Sequence, residues 1–585
     1  MRPAPTSPVA LATTPTERVR DAYRREAAVR RPEVWLTLRP EADALADAAV
    51  VEARLAAGAE LPLAGLMLAV KDNVDVAGLP TTAGHPDYAR IPARSATAVQ
   101  RLVDAGAVVM GKTALDQFAT GLSGARSLRG AVRSAVDPER VAGGSSSGSG
   151  AAVGLGIVDL AIATDTAGSG RVPAAFNGIV GIKATYGLVP KDGVAPACPS
   201  YDCVTVLAPT LAVAAQAIGI MSGPSGLDPA SRDWPADVRL GAPAAPRVAI
   251  PRAEDLAVLG PQAREHFAAA AARLEARGAV LGEIDLTPFL RAARLLYEGG
   301  LVAERHASFG QFLADHPEQA EPSVAAITAA AAHVTGSAVV RDQELLRVLR
   351  AEAMAALAGF DALLAPTTPS HPTVAAVQAE PIAVNARLGV YTNFVNLLDL
   401  AAVAVPAGAS ASEGLFGVSV VARAFDDQVA LDLAGWLTGE DAPLYPTTGV
   451  PTVVFGAHLS GEARNHELQE LGARFVREVV TAPDYRMHVT EDGNRPIVVP
   501  TVPGHGAAFP GEEWLLSVAA LGRLVTRVAA PLSIGHVTLD DGSSVVGFAG
   551  AVTGREADIS AAGGWRAHRR AATADIAAAA AAPVP

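Results

Sequence analysis

Between residues 143 and 173, two glycine- and serine-rich stretches enclose a short apolar segment, and no other feature of the chain restricts its fold as strongly. The first, Gly143-Gly-Ser-Ser-Ser-Gly-Ser-Gly150, has the composition of a flexible linker. Yet it runs directly into the patterned apolar residues 151–164, and then into Asp165-Thr-Ala-Gly-Ser-Gly-Arg-Val-Pro173. This pattern predicts a small-residue helix over 149–156 and a buried strand over 159–164. A Gly/Ser turn at the end of a buried strand is what a site needs when backbone N–H groups must come close to a ligand.

Around this centre the chain alternates in character. Residues 16–57 read as helical, 66–70 as a buried strand ending at Lys71, 98–105 as a helix and 107–110 as a strand. Helical patterns return at 262–277 and 324–357. Such alternation implies an α/β domain. A Gly/Asp/Pro-rich lapse at 441–451 reads as a linker. The expected organisation is a first domain over 1–440, a smaller α+β domain over 452–574 with a strand at 544–550, and a flexible tail over 575–585. The 585 residues exceed what one core usually serves.

Composition narrows the function. The formal charge of -13 argues against a nucleic-acid partner. No purely apolar run is long enough for a membrane helix, and the first residues lack the pattern of a secretory leader, so a cytoplasmic enzyme with no membrane partner is expected. Two cysteines, Cys198 and Cys203, cannot build a disulfide scaffold or a multi-cysteine zinc site. Lysine occurs only at positions 71, 112, 183 and 191, so 43 of the 47 basic residues are Arg. Lysine differs from arginine in being able to lose its proton inside a protein, so a retained lysine marks a place where that ability can matter.

Three short motifs compete for attention. Gly106-Ala-Val-Val-Met-Gly-Lys-Thr113 matches a phosphate loop and offers Lys112 to a nucleotide, but its interior is a strand-like apolar run. Gly144-Ser-Ser-Ser-Gly148 matches a nucleophile elbow around Ser146, which needs a histidine base; before His266 there is only His85. No His-Glu-x-x-His is present, and neither a metal nor another cofactor is called for. There remain a lysine and two serines. A serine hydroxyl needs a base to become a useful nucleophile. Lys71, at the end of an apolar strand, serves if burial depresses its pKa; if it pairs with Asp72 or Asp75 its pKa rises instead. The residues alone leave both open.

Val70-Lys-Asp-Asn73, Gly143-Gly-Ser-Ser146, Thr164-Asp-Thr-Ala-Gly-Ser169 and Gly178-Ile-Val-Gly-Ile-Lys183 together resemble the amidase signature family over roughly residues 20–440. The resemblance implies a mixed β-sheet core flanked by helices and a catalytic set of Lys71, Ser145 in a cis peptide and the nucleophile Ser169. It also implies an oxyanion hole from the N–H groups of Thr166, Ala167, Gly168 and Ser169. Leu115-Asp-Gln-Phe-Ala-Thr-Gly121, Pro196-Ala-Cys-Pro-Ser-Tyr-Asp-Cys203 and Tyr391-Thr-Asn-Phe-Val-Asn-Leu-Leu-Asp399 are most similar to the branch of the family that hydrolyses allophanate. In that branch a Tyr and an Arg eight residues on bind the substrate; they match Tyr297 and Arg305, with Gly124 as a further substrate contact. Ser200-Tyr201 and Ala184-Thr185-Tyr186 depart from the residues expected there. Gly456-Ala-His-Leu-Ser-Gly461, Asn465-His466, Ala530-Pro-Leu-Ser-Ile-Gly535 and Gly563-Gly-Trp-Arg566 resemble the second domain of the same branch, of γ-glutamyl cyclotransferase-like fold. There His458 is the candidate base; capping or packing is its alternative role. The resemblance implies a small-molecule substrate, allophanate, and a homodimer. No lysine follows Lys191 to carry biotin, so a separate urea carboxylase is expected to supply the substrate.

Overall fold

Eleven strands of the first unit form one mixed sheet in the computed structural model, which describes residues 13–446 and 448–581. Their order is Trp35–Leu38, Val108–Thr113, Met67–Lys71, Leu160–Asp165, Cys203–Ala208, Val180–Lys183, Leu400–Ser410, Gly414–Arg423, Ala362–Pro366, Arg247–Pro251 and Val280–Ile284. Met67–Lys71 runs parallel to both of its neighbours, Val108–Thr113 and Leu160–Asp165. Lys71 and Thr164 therefore emerge together at the carboxyl ends of adjacent parallel strands, where α/β sheets usually place ligands. Every residue of Met67–Lys71 and of Leu160–Asp165 is buried, as expected for sheet strands covered on both faces.

The serine–glycine run is not a linker. Ser147–Gly154 is a buried helix whose small residues, glycines above all, permit its close packing. A Cβ on Gly148 would lie 2.3 Å from the Val34 carbonyl and one on Gly150 2.8 Å from Pro173. The expected continuous helix over 16–57 is instead two helices, Pro15–Val29 and Glu41–Ala56, separated by the strand Trp35–Leu38. Pro32 and Pro40 interrupt the helical hydrogen bonding on either side of that strand. The strand expected at 107–110 continues through Thr113, because Gly111 lets the backbone approach Thr37, whose carbonyl would sit 2.3 Å from a Cβ there. Residues 324–357 likewise divide, into Pro322–Ala331 and Gly336–Ala356, the second capped by the Thr335 hydroxyl accepting from the Ala338 N–H.

The second unit comprises Pro446–Pro585 together with Trp234–Ala244, a segment remote in sequence. It contains a five-stranded sheet in the order Arg474–Val480, Pro510–Leu516, Val450–Val454, Ser544–Gly550 and Leu532–Thr538, and a three-stranded one. Its core gathers Phe455, Met487, Phe509, Trp514 and Trp565. Of the stretch 441–451, Tyr445 is buried and hydrogen-bonds Ser222 at 2.8 Å, and Val450 already opens a strand. The tail 575–585 begins inside the helix Trp565–Ala581; residues 582–585 lie outside those described. Among the described residues no single helix is long and apolar enough to cross a membrane.

Candidate active site

Lys71 is fully buried, and its amine has three oxygen partners: Ser145 Oγ at 2.8 Å, Thr164 Oγ1 at 2.7 Å and the Thr164 carbonyl at 3.5 Å. It forms no ion pair with Asp72 or Asp75. Successive residues of a strand point to opposite faces, and Asp72 turns to Lys112, 3.5 Å away and also fully buried. Burial pushes the Lys71 amine down from its ordinary value to about 7, with the charges of Asp116, Asp165 and Asp202 offsetting part of the effect. An amine at that value is partly neutral near pH 7 and can accept a proton.

Ser145 follows a cis peptide bond from Gly144. Gly144 admits no side chain: a Cβ there would fall 2.0 Å from Asp116 Oδ2. Asp116, buried, accepts from the Gly124 N–H at 3.0 Å and the Arg126 N–H at 2.8 Å, and so fixes the loop facing Gly144. Ser169 is buried, and its carbonyl accepts from the Ser146 N–H at 3.3 Å, which brings the two serine-bearing segments together. The Ser169 hydroxyl donates to the Gly121 carbonyl at 3.4 Å and makes no hydrogen bond to Ser145 Oγ.

The loop 166–170 wraps around the Asp165 carboxylate. That carboxylate accepts from the N–H groups of Gly168 at 2.8 Å, Gly170 at 3.1 Å and Arg171 at 3.3 Å, and is gripped by the Arg171 side chain. Burial alone would raise its pKa, but the charge and hydrogen bonds of Arg171, the Lys183 charge and the Gly170 N–H together outweigh this and hold it at about 2. Arg171 also binds Asn396 Oδ1, and Asn396 donates to the Asp165 carbonyl, so the 391–399 motif buttresses the loop. The four N–H groups expected to serve an oxyanion differ in their engagement. The Gly168 N–H is committed to Asp165, whereas those of Thr166, Ala167 and Ser169 have no acceptor among the described residues. Gly168 has φ +122°, and a Cβ there would lie 2.4 Å from Thr392 Oγ1.

The structure brings Tyr297 and Arg305 together: the guanidinium lies 4.2 Å above the phenol ring. Arg305 is fully buried without an ion pair among the described residues; only Nη1 finds an acceptor, the Leu296 carbonyl at 3.4 Å, and Nε and Nη2 have none. It flanks a π-helical turn, His306–Gly310, a distortion common at functional sites. Gly124 is engaged on both sides by its own loop. Its N–H binds Asp116, its carbonyl accepts from the Val132 N–H, and a Cβ would meet the Gly143 carbonyl at 2.6 Å.

Two competing motifs end as framework. Lys112 lies within a strand, bound to Thr81 Oγ1 and the Pro80 carbonyl, so the phosphate-loop match does not form a phosphate-binding turn. Ser146 Oγ donates to the Thr164 carbonyl at 3.1 Å and has no histidine partner among the described residues. In the second unit, His458 Nε2 is 3.1 Å from Glu467 and the ring stacks on Phe548 at 4.9 Å. Burial lowers its pKa, with Glu467 opposing. It lines a small cavity with Arg464, Arg495 and Arg527.

Comparison with known proteins places this geometry. The Amidase family profile matches residues 17–431, and that of the allophanate hydrolase C-terminal domain matches residues 450–570. The chain belongs to the amidase family and is an amidohydrolase-type enzyme. It is 37% identical over 550 residues to urea amidolyase of Saccharomyces cerevisiae, a match covering 87% of this chain and 30% of that protein. Urea amidolyase of Lachancea kluyveri is 36% identical over 547 residues, covering 88% of this chain and again 30% of the longer protein. The chain thus spans less than a third of the length of these two relatives. Among solved structures, Kluyveromyces lactis allophanate hydrolase superposes with a TM-score of 0.85 at 33% identity, covering 96% of this chain and 97% of that one.

Proposed function

We propose that the chain hydrolyses the terminal amide of allophanate, with Ser169 as nucleophile and Ser145 and Lys71 as its proton relay. The observation that carries this reading is the Lys71 amine: buried, without an ion pair among the described residues, lowered by burial to about 7 and 2.8 Å from a serine hydroxyl. On substrate binding the Ser169 hydroxyl leaves the Gly121 carbonyl and turns to Ser145. Ser145 accepts its proton while giving its own to Lys71, and Ser169 Oγ attacks the carbonyl carbon. The N–H groups of Thr166, Ala167 and Ser169, without an acceptor among the described residues, receive the oxyanion; one such donor lowers a barrier by ~3 kcal/mol. The protonated Lys71 has three oxygens to donate to, two of them from Thr164, which suits it to hold the proton until the leaving ammonia takes it. Water then takes the place of Ser169: it gives a proton through Ser145 to Lys71 as it attacks the acyl carbon, and Lys71 returns that proton through Ser145 to the departing Ser169 oxygen, which releases N-carboxycarbamate.

The carboxylate of allophanate is assigned to Arg305. A buried guanidinium with two unpaired nitrogens lacks the counter-charge that burial normally demands, and a carboxylate supplies it bidentately. In the second unit, the cavity beside His458 takes the first product and promotes its decarboxylation, giving ammonia and carbon dioxide overall. Functional coupling to a carboxylase that makes allophanate from urea follows from the likeness to urea amidolyase. Ammonia release from allophanate by the full chain, compared with biuret and malonamide, tests the assignment. A clear preference for allophanate supports it; equal or better turnover of the neutral diamides opposes it.

A further inference from the structure

We propose that Asp202 is a positioning residue: it holds the oxyanion loop and the segment beside Arg305 in one geometry and, as a carboxylate, places a negative charge near the proton relay. The inference rests on the amidohydrolase reading above and extends it to a residue with no place in the relay itself. Asp202 is 4% exposed, and one carboxylate oxygen takes the Thr166 hydroxyl at 2.5 Å. The N–H of Ala197 donates to the other at 2.9 Å, and that of Cys198 to both at 3.1 Å. Thr166 opens the loop that ends in Ser169. Cys198 lies against Arg305, whose charge partly counters the burial that pushes the thiol up to about 12. One carboxylate thus joins the two halves of the site through four hydrogen bonds.

Its electrostatic position is also distinctive. Three buried carboxylates act on Lys71: Asp116, Asp165 and Asp202. Asp165 is neutralised by Arg171 at 2.9 Å, and Arg126 stands beside Asp116. Asp202 forms no ion pair among the described residues; Lys191 and Arg305 act on it only from beyond ion-pair distance, while Cys198 and Glu304 flank the Arg305 side. Burial raises the Asp202 pKa, and the hydrogen bonds from Thr166, Cys198 and Ala197 oppose this by favouring the carboxylate. In that form it bears on Lys71 with little local compensation and favours the protonated amine, the form the relay must produce. Removing that charge makes Lys71 easier to deprotonate.

The test is the pH dependence of kcat and KM for ammonia release from allophanate by the full chain, wild type against Asp202→Asn and Thr166→Val. Asp202→Asn is expected to move the acidic limb of kcat/KM to lower pH by about half a unit or more, the sign set by losing a negative charge near a lysine. Thr166→Val keeps the charge and loses one tether, so kcat falls several-fold with the limb unmoved. A limb in Asp202→Asn that coincides with wild type, whatever the loss of rate, reduces Asp202 to scaffolding and overturns the proposal. Wild-type kcat in Thr166→Val overturns it as well, and decides the matter should Asp202→Asn fail to fold. A wild-type profile without any acidic limb points elsewhere: it removes the lysine relay itself.

Discussion

The Lys71 amine lies 2.8 Å from the Ser145 hydroxyl, while the aspartate that follows it in sequence faces the other side of the strand and binds Lys112. One alternation of a β-strand thus separates an amine available for proton transfer from a carboxylate that would have kept it charged. The proposed proton relay depends on this separation.

Lys71→Arg is expected to be nearly as damaging as Lys71→Ala. Arginine keeps the positive charge but cannot lose a proton in a protein. General-base catalysis contributes about 10²–10⁴-fold, so both variants should lose at least 100-fold in kcat. Steady-state ammonia release checks this; substantial activity in Lys71→Arg would show that charge, not basicity, is what the position supplies.

The pH–rate profile should have an acidic limb. Lys71 acts when neutral, so kcat/KM rises as pH increases through about 7 and levels off above it. Burial causes this depression, and a polar replacement that admits water should return the limb towards higher pH. A flat profile between pH 6 and 8 contradicts the assignment.

Arg305→Ala should penalise allophanate far more than a neutral diamide. A charge-assisted hydrogen bond contributes ~1.5–3 kcal/mol, so the expected selective loss in kcat/KM is at least tenfold. The ratio of kcat/KM for the two substrates is the measurement, and equal losses remove the carboxylate clamp.

Gly168→Ala should fold but lose most of its activity. The added methyl group meets Thr392, and φ +122° disfavours any residue with a Cβ, so the loop must shift. Thr392→Ala in the same chain relieves the contact but not the backbone preference, and recovery is therefore expected to be partial. Turnover of single and double variants, with thermal melts as a control, distinguishes the two contributions.

Asp165→Asn should lower stability as well as activity, because it leaves Arg171 as a buried cation without its partner. Breaking such a pair costs about 3–5 kcal/mol. A melting temperature within a degree or two of wild type would contradict that role.

The fold class and the site's raw materials are legible in the sequence because strand periodicity and Gly/Ser turns have local physical signatures. The strand ending at Lys71 is readable from Leu68-Ala-Val70 alone. What local pattern does not carry is pairing across the sheet. Nothing near Lys71 reveals that Thr164, 93 residues away, supplies two of its three oxygens. The commitment of the Gly168 N–H to Asp165 depends on how the loop curls back on its own strand, and it leaves one fewer free N–H in the loop. The strand Trp35–Leu38 is overlooked in a run of helix-forming residues, although Pro32 and Pro40 mark its limits. Asp202 stands inside a motif that is visible at once, but its role depends on contacts made only after folding.

The most direct test is the titration of the Lys71 amine itself. With only four lysines in the chain, selective Nζ isotope labelling yields at most four signals, and Lys71→Met identifies the relevant one. The account predicts a midpoint near 7, well below the ordinary lysine value of about 10.4. A Lys71 amine that stays fully protonated until pH 10 contradicts it.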